Sequence, residues 1–345
     1  MLRTTTELIA YLKVQKSERD ITNIQCLVNA IVKCGNKTDM DAILMQFLNE
    51  PFDFHYSYLF PIFKKWGDEK VAAQIFKAVI SNNRLLDANS PEVLTLLGYL
   101  KYTPVKQVLV DYIFESQEES DYYISKYAIL GLLHFDCKEY QEKIKAAIEN
   151  CYGKNLFSEF IPALVSKIED NSVLLQNLYN LGCEFASTDC NAGIVYGFSL
   201  CGNSGREYFR KVLFDPGWET GSTGSGTIHF AYLGLKNLAI TFKELYLEIK
   251  SPEMRENLQY NFGIFIALLT KRIDDIDTEH TESFTDLHSF LFKWKNNDER
   301  DSLIDLATLI NRTEDVYHLE KLIELKMNEE AILLNIESLN SAEFN

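Results

Sequence analysis

The chain has 345 residues and a net charge of −16, from 34 lysines and arginines against 50 aspartates and glutamates. Gripping a phosphate backbone takes clustered cations that release counterions, and the sequence offers no such block, so nucleic acid is argued against as a ligand. With 46% hydrophobic and 24% charged residues, the composition is that of a folded globular chain and not of a disordered one.

From the N-terminus, Met1 to Lys16 intersperses Thr, Glu, Tyr and Lys among its apolar residues and lacks the apolar core of a signal peptide. The longest apolar stretch, around Phe262 to Leu269, is far short of the roughly 20 residues that span a bilayer. Seven cysteines, an odd set without a C-x-x-C pair, argue against a disulfide framework and a zinc ribbon. A soluble, cytoplasmic protein without membrane association is expected.

Breaks at Gly35-Asn36, Gly67-Asp68, Gly153-Lys154, Asp170-Asn171, Thr188-Asp189 and Asn296-Asn297 divide the chain into about sixteen to eighteen helices, with no strand run. Ser90-Pro91-Glu92 and Ser251-Pro252-Glu253 each place a capping hydroxyl before a proline and an acid, which predicts two helix starts. Leu258, Phe262, Phe265 and Leu269 form one helical stripe, as do Leu303, Leu306 and Ile310.

A small residue inside an apolar helix, followed by a turn and a second amphipathic helix, recurs along the chain. Leu97-Gly98-Tyr99-Leu100 leads through Thr103-Pro104 into Val105 to Phe114, and Leu130-Gly131-Leu132-Leu133 leads through Asp136-Cys137 into a helix ending near Asn150. The glycines are 33 residues apart, and Gly197 follows Gly131 by 66, with Ala163 near the intermediate position. Phe230 to Leu235 echoes Tyr127 to Leu132, displaced by extra sequence. A glycine or alanine there lets the paired helix approach closely.

This unit resembles the HEAT-like α-solenoid repeats over roughly residues 68–250, and Pro61 and Pro162 suit the bent first helix of such units. The Asp and Arg common at fixed turn positions of that family are missing, with Asp136 and Asp170 matching loosely. The resemblance implies an all-α, right-handed α-solenoid of stacked antiparallel helix pairs, HEAT-like or ARM-like. Three regions are expected: an N-terminal helical cap region over 1–67, repeats over 68–250 with a Gly/Ser-rich insertion at 215–227, and an acidic helical region over 251–345.

The insertion, Asp215 to Thr227, combines flexible backbone with hydroxyls, the chemistry of phosphate nests, but no lysine follows Gly226 as a Walker loop requires. It reads as an inter-repeat insertion or a partner-binding loop anchored by Trp218, with Glu219, Thr220, Ser222, Thr223 and His229 as candidate contacts. Asp274, Asp275 and Asp277 form a carboxylate cluster without the glycine and distal glutamate of an EF-hand, and join the candidate partner-binding residues. No His pair at i+4, His-Glu dipeptide or Gly-x-Ser-x-Gly elbow occurs, so no catalytic residue, metal site or cofactor is expected. Tyr99, Tyr102, Tyr112, Tyr122, Tyr123 and Tyr127 either line a groove or fill space between repeats.

Charge is uneven: residues 1–100 carry 11 bases and 11 acids, whereas residues 251–345 carry 9 and 20. Such a field favours a basic protein partner and repels DNA and anionic membranes. With the resemblance, this predicts a non-catalytic module binding a protein or peptide, such as an immunity protein or a scaffold subunit. The alternative is an accessory protein or HEAT-type lyase-like enzyme that holds a peptide or small molecule under the 215–229 loop.

Overall fold

The computed structural model describes residues 1–14, 21–51, 54–87, 89–116, 121–151, 160–184, 191–214 and 237–240, with isolated positions up to Pro252. Helix dominates these residues, which fall into two compact units, Met1–Cys137 and another beginning at Lys138. Among the described residues no helix is long and apolar enough to cross a membrane.

The first unit contains α1 (Arg3–Tyr11), α2 (Ile21–Cys34), α3 (Lys37–Asn49), α4 (Phe60–Trp66), α5 (Glu69–Val79), α6 (Glu92–Tyr99), α7 (Val105–Val110) and α8 (Asp121–Leu132). Helices two apart in the chain pack on each other: α2 on α4, α4 on α6 and α6 on α8 on one side, α1 on α3 and α3 on α5 on the other. Helix α5 shows why. Val71, Ala72, Ile75 and Val79 are buried along one stripe while Glu69, Lys70 and Lys77 point away, and burying each Val or Ile contributes about 1.5–3 kcal/mol.

The turns between paired helices are capped as the glycine breaks predict. The Asn36 side chain accepts from Thr38 N at 2.8 Å, Asp39 Oδ2 accepts from Asn36 N at 3.1 Å, and Asp68 accepts from Val71 N at 3.0 Å. Asp39 is fully buried and its other oxygen accepts from Leu2 N at 2.6 Å and Thr5 Oγ1 at 2.8 Å, which ties the first helix to the third.

The glycines at the repeat spacing meet. A Cβ placed on Gly98 of α6 would lie 2.3 Å from the Gly131 carbonyl oxygen of α8, and one on Gly131 would lie 2.7 Å from Leu94 O. Thr95 Oγ1 also donates across this contact to Tyr127 O at 3.1 Å.

The second unit contains α9 (Gln141–Asn150), a 3-10 helix over Ile161–Lys167, α10 (Ser172–Glu184), α11 (Asn191–Leu200) and α12 (Asn203–Phe214). The 3-10 helix packs on α9 and α11, and α10 packs on α12. Gly197 of α11 faces Pro162 and Ala163, whose atoms would come within 2.9 and 3.0 Å of an added Cβ.

Several local expectations are corrected. A strand pair, β1 (Ile80–Ser81) with β2 (Arg84–Leu85), occupies a stretch expected to hold none. Asn82 and Asn83 take φ of 50° and 57°, the two left-handed residues that a type I′ hairpin turn demands. Helix α6 begins at Glu92 with Pro91 in the cap position expected of Ser90, and the Ser90 hydroxyl donates to the Glu92 carboxylate at 3.0 Å instead of accepting a backbone N–H. Pro61 and Pro162 sit in the first turns of their helices, where a missing N–H costs nothing, and not at a bend within them. The expected helix from Val105 to Phe114 ends as a wide π turn over Asp111–Glu115.

Candidate functional site

The residues singled out for partner binding, Trp218, Glu219, Thr220, Ser222, Thr223, His229, Asp274, Asp275 and Asp277, lie outside the described residues. Among the described residues no group of three or more His, Cys, Asp or Glu side chains is placed to hold a metal ion. The described polar and aromatic groups instead form separate local clusters, two in the first unit and one in the second. One of those in the first unit lies along the edge where helices turn.

In the first unit that edge carries a row of side chains from the C-terminal ends of α4, α6 and α8. The Lys64 ammonium lies 5.6 Å from the centre of the Tyr99 ring, and the Tyr99 ring meets His134 edge to face, with centres 5.4 Å apart and planes at 81°. Tyr99 is nevertheless 45% exposed, because it stands on the outer rim of the turn. Beside Lys64, the Lys65 ammonium lies 4.5 Å from the Trp66 ring and donates to Val32 O, covering a carbonyl at the end of α2. Lysines gather here because helix C-termini present unpaired carbonyls, and the acids Asp39 and Asp68 stand at helix starts for the converse reason.

A second cluster lies beside the β1–β2 hairpin. Arg84 Nη2 contacts Asp121 Oδ2 at 2.5 Å, its guanidinium lies 4.6 Å from the Tyr112 ring centre, and Ser116 donates to the same carboxylate. Tyr112 accepts from Leu85 N at 2.8 Å, and burial is the main cause of its raised phenol pKa. These contacts fasten the hairpin to the π turn and to the start of α8, so the cluster reads as a joint and not as a reaction centre.

In the second unit, Lys211 lies 5.6 and 5.4 Å from the Tyr179 and Tyr208 ring centres, Tyr208 packs on Phe198, and its hydroxyl donates to Gln176 at 3.3 Å. Burial pushes the Cys201 thiol up to about 12, against the opposing effect of an Asn171 amide that donates to its sulfur at 3.5 Å. A thiol so protonated is a poor nucleophile and behaves as a small hydrophobe.

The six tyrosines considered from sequence divide. Tyr112 and Tyr127 are buried, Tyr102 packs against Phe76, and Tyr99, Tyr122 and Tyr123 are exposed. The row of Lys64, Tyr99 and His134 escapes motif searching, yet each member follows the last by 35 residues, a spacing readable in the sequence once the repeat is suspected. No protein-family model, curated protein or solved structure matches this chain.

Proposed function

We propose that the chain is a HEAT-like, protein-binding α-solenoid, a non-catalytic interaction module such as an immunity protein or a scaffold subunit, whose acidic part holds a basic protein partner. The observation that carries this reading is the contact of Gly98 with Gly131, equivalent positions 33 residues apart on helices that pack side by side. Long-range side-chain bonds at similar intervals support it: Thr95 to Tyr127, Lys37 to Asp68, Lys138 to Glu169 and Tyr208 to Gln176 each join residues 31 or 32 apart. Contacts confined to the next unit along the chain are what a solenoid has, and the extended faces of such stacks serve mainly to grip other macromolecules.

The sign of the partner is argued from charge, since residues 251–345 hold 20 acids and 9 bases. Affinity purification from the native cell, followed by reconstitution with the purified partner, tests the reading. A basic protein that rebinds the chain and weakens markedly as salt rises to about 0.5 M is the expected result. A rebinding partner indifferent to salt overturns the electrostatic part. Turnover of a small molecule by the purified chain overturns the non-catalytic part.

A further inference from the structure

We propose that Tyr112, Ser116 and Asp121 form a binding site for an arginine side chain of a basic partner protein, and that Arg84 of the β1–β2 hairpin occupies this site as an intramolecular stand-in. This rests on reading the chain as a module that holds a basic protein, and it names the side chain that the first unit takes from that partner.

The walls of the site and its occupant come from different segments. Tyr112 lies in the π turn, Ser116 caps its end, and Asp121 opens α8. The walls also hold one another: Ser116 Oγ donates to the Asp121 carboxylate, and Ser116 N donates to Asp111 O at 3.0 Å, which closes the turn that carries Tyr112. Their chemistry is that of guanidinium recognition. Arg84 Nη2 lies 2.5 Å from Asp121 Oδ2 and its Cζ 4.6 Å from the centre of the Tyr112 ring, so a carboxylate takes the charge while an aromatic ring takes the flat group. A lysine ammonium, a compact and strongly hydrated point charge, has neither the fork of N–H groups nor the plane.

Burial separates the site from its occupant. The Asp121 side chain is 8% exposed and that of Arg84 is 40% exposed, so the cation reaches a buried carboxylate from the surface. That carboxylate requires a cation, because a buried charge left without a partner bears a large desolvation cost. The hairpin that supplies it is a slight support. Its strands are two residues each, Ser81, Asn82 and Asn83 are exposed, and of residues 80–85 only Ile80 is buried. A hairpin so short has no stability of its own, and it is held against the π turn by Arg84 and by Leu85 N, which donates to the Tyr112 hydroxyl at 2.8 Å. A partner's arginine entering the site exchanges one guanidinium for another, so the carboxylate stays paired. The competition is then set by the effective concentration of the tethered Arg84.

The test titrates the full chain into two fluorescein-labelled peptides, one alternating Arg and Gly, the other Lys and Gly, and follows anisotropy. Arg84→Ala removes the stand-in and is expected to bind the Arg/Gly peptide at least about tenfold more tightly than the native chain does, a gain that Arg84→Ala/Asp121→Asn loses. Should Arg84→Ala unfold, Arg84→Lys keeps a cation beside Asp121 and is expected to show the same gain in smaller measure. A folded variant that binds the Arg/Gly peptide no more tightly than the native chain overturns the site. An equal gain for the Lys/Gly peptide overturns it as well, because the lost positive charge alone accounts for that. If both peptides bind the native chain and every variant alike, the site falls while the basic-partner reading stands. If the Arg/Gly gain appears and no basic protein from the native cell rebinds the chain, the site stands while that reading falls.

Discussion

The two units bring helices some 33 to 35 residues apart in the chain into contact at different separations. In the first, α6 and α8 meet glycine to glycine, and a methyl group at position 98 would intrude to 2.3 Å from a carbonyl oxygen and 2.5 Å from a Cα. In the second, Gly197 of α11 meets Pro162 and Ala163 of a 3-10 helix, at 2.9 and 3.0 Å. The first contact is limited by backbone on both sides and has no side chain to yield. The second is also set by backbone atoms, Pro162 O and Ala163 Cα, but the overlap is slighter, so a smaller shift accommodates it. A glycine facing a neighbouring helix thus carries different constraints, according to whether that neighbour also contributes a glycine.

Substituting alanine at the two sites tests that contrast directly. Alanine favours an α-helix over glycine by about 1 kcal/mol, so any net loss must come from the contact. Gly98→Ala is expected to lose about 3 kcal/mol, because helices locked by interdigitated side chains cannot simply part. Gly197→Ala is expected to lose less than about 1 kcal/mol, since overpacking and propensity nearly offset each other there. Urea unfolding of both variants measures the difference, and equal losses would remove the distinction between the two contacts.

Much of this contact was legible in the sequence. The 33-residue interval between Gly98 and Gly131 and the capped turns at Asn36 and Asp68 follow from local rules: small residues permit close approach, and short polar side chains satisfy orphan N–H groups. The hairpin over residues 80–85 was missed because two-residue strands have no periodicity to read, and only Asn82-Asn83 announces the turn. The 3-10 form of Ile161–Lys167 was also hidden, since apolar spacing does not separate a tight helix from an ordinary one. As for the site, the residues favoured from sequence lie outside the described region. The cation–aromatic row depends on which residues of successive turns stand next to one another, which no local motif encodes.

The next largest effect belongs to the first unit alone. Asp39 is fully buried and satisfies three donors, Leu2 N, Thr5 Oγ1 and Asn36 N. Asp39→Ala leaves them without that acceptor and is expected to lose about 2 kcal/mol, with hydrogen exchange rising first in α1. Protection of α1 unchanged in the variant would show that the helix is held by its apolar face.

Smaller still is the joint at the hairpin. Tyr112→Phe removes the acceptor for Leu85 N and is expected to lose about 1 kcal/mol. Its pH dependence has a definite sign. Burial first, with Asp121 and Asp87 adding to it and the Leu85 N–H and Arg84 opposing, raises the phenol above its ordinary 10.0. The neutral form is therefore favoured by folding, and this contribution is full below about pH 10 and lost as pH rises through the folded value. Urea midpoints followed into the alkaline range should fall more steeply for the native chain than for Tyr112→Phe, and parallel curves would refute the assignment.

The smallest effect sharpens the comparison at the turn edge itself, where both units have a cross-turn ion pair between residues 31 apart. Lys37–Asp68 spans 3.6 Å and Lys138–Glu169 spans 3.5 Å, with the latter side chains each 70% exposed. Equal geometry does not mean equal effect, because Asp68 also caps α5. The Val71 N–H is the main cause that lowers its carboxyl pKa below 3.8, with Lys37 adding to it against some desolvation. That contribution is present above about pH 4 and is lost as pH falls through the lower folded value. Asp68→Ala should therefore lose about 1 kcal/mol at neutral pH and less once the carboxyl is protonated, because the neutral acid still accepts from Val71 but without the help of its charge. Glu169→Ala, which breaks only a solvated pair, should change stability by less than about 0.5 kcal/mol at either pH. Matching losses at the two sites would mean that the pair and not the cap stabilises the turn, which in exposed surroundings neither distance nor charge explains.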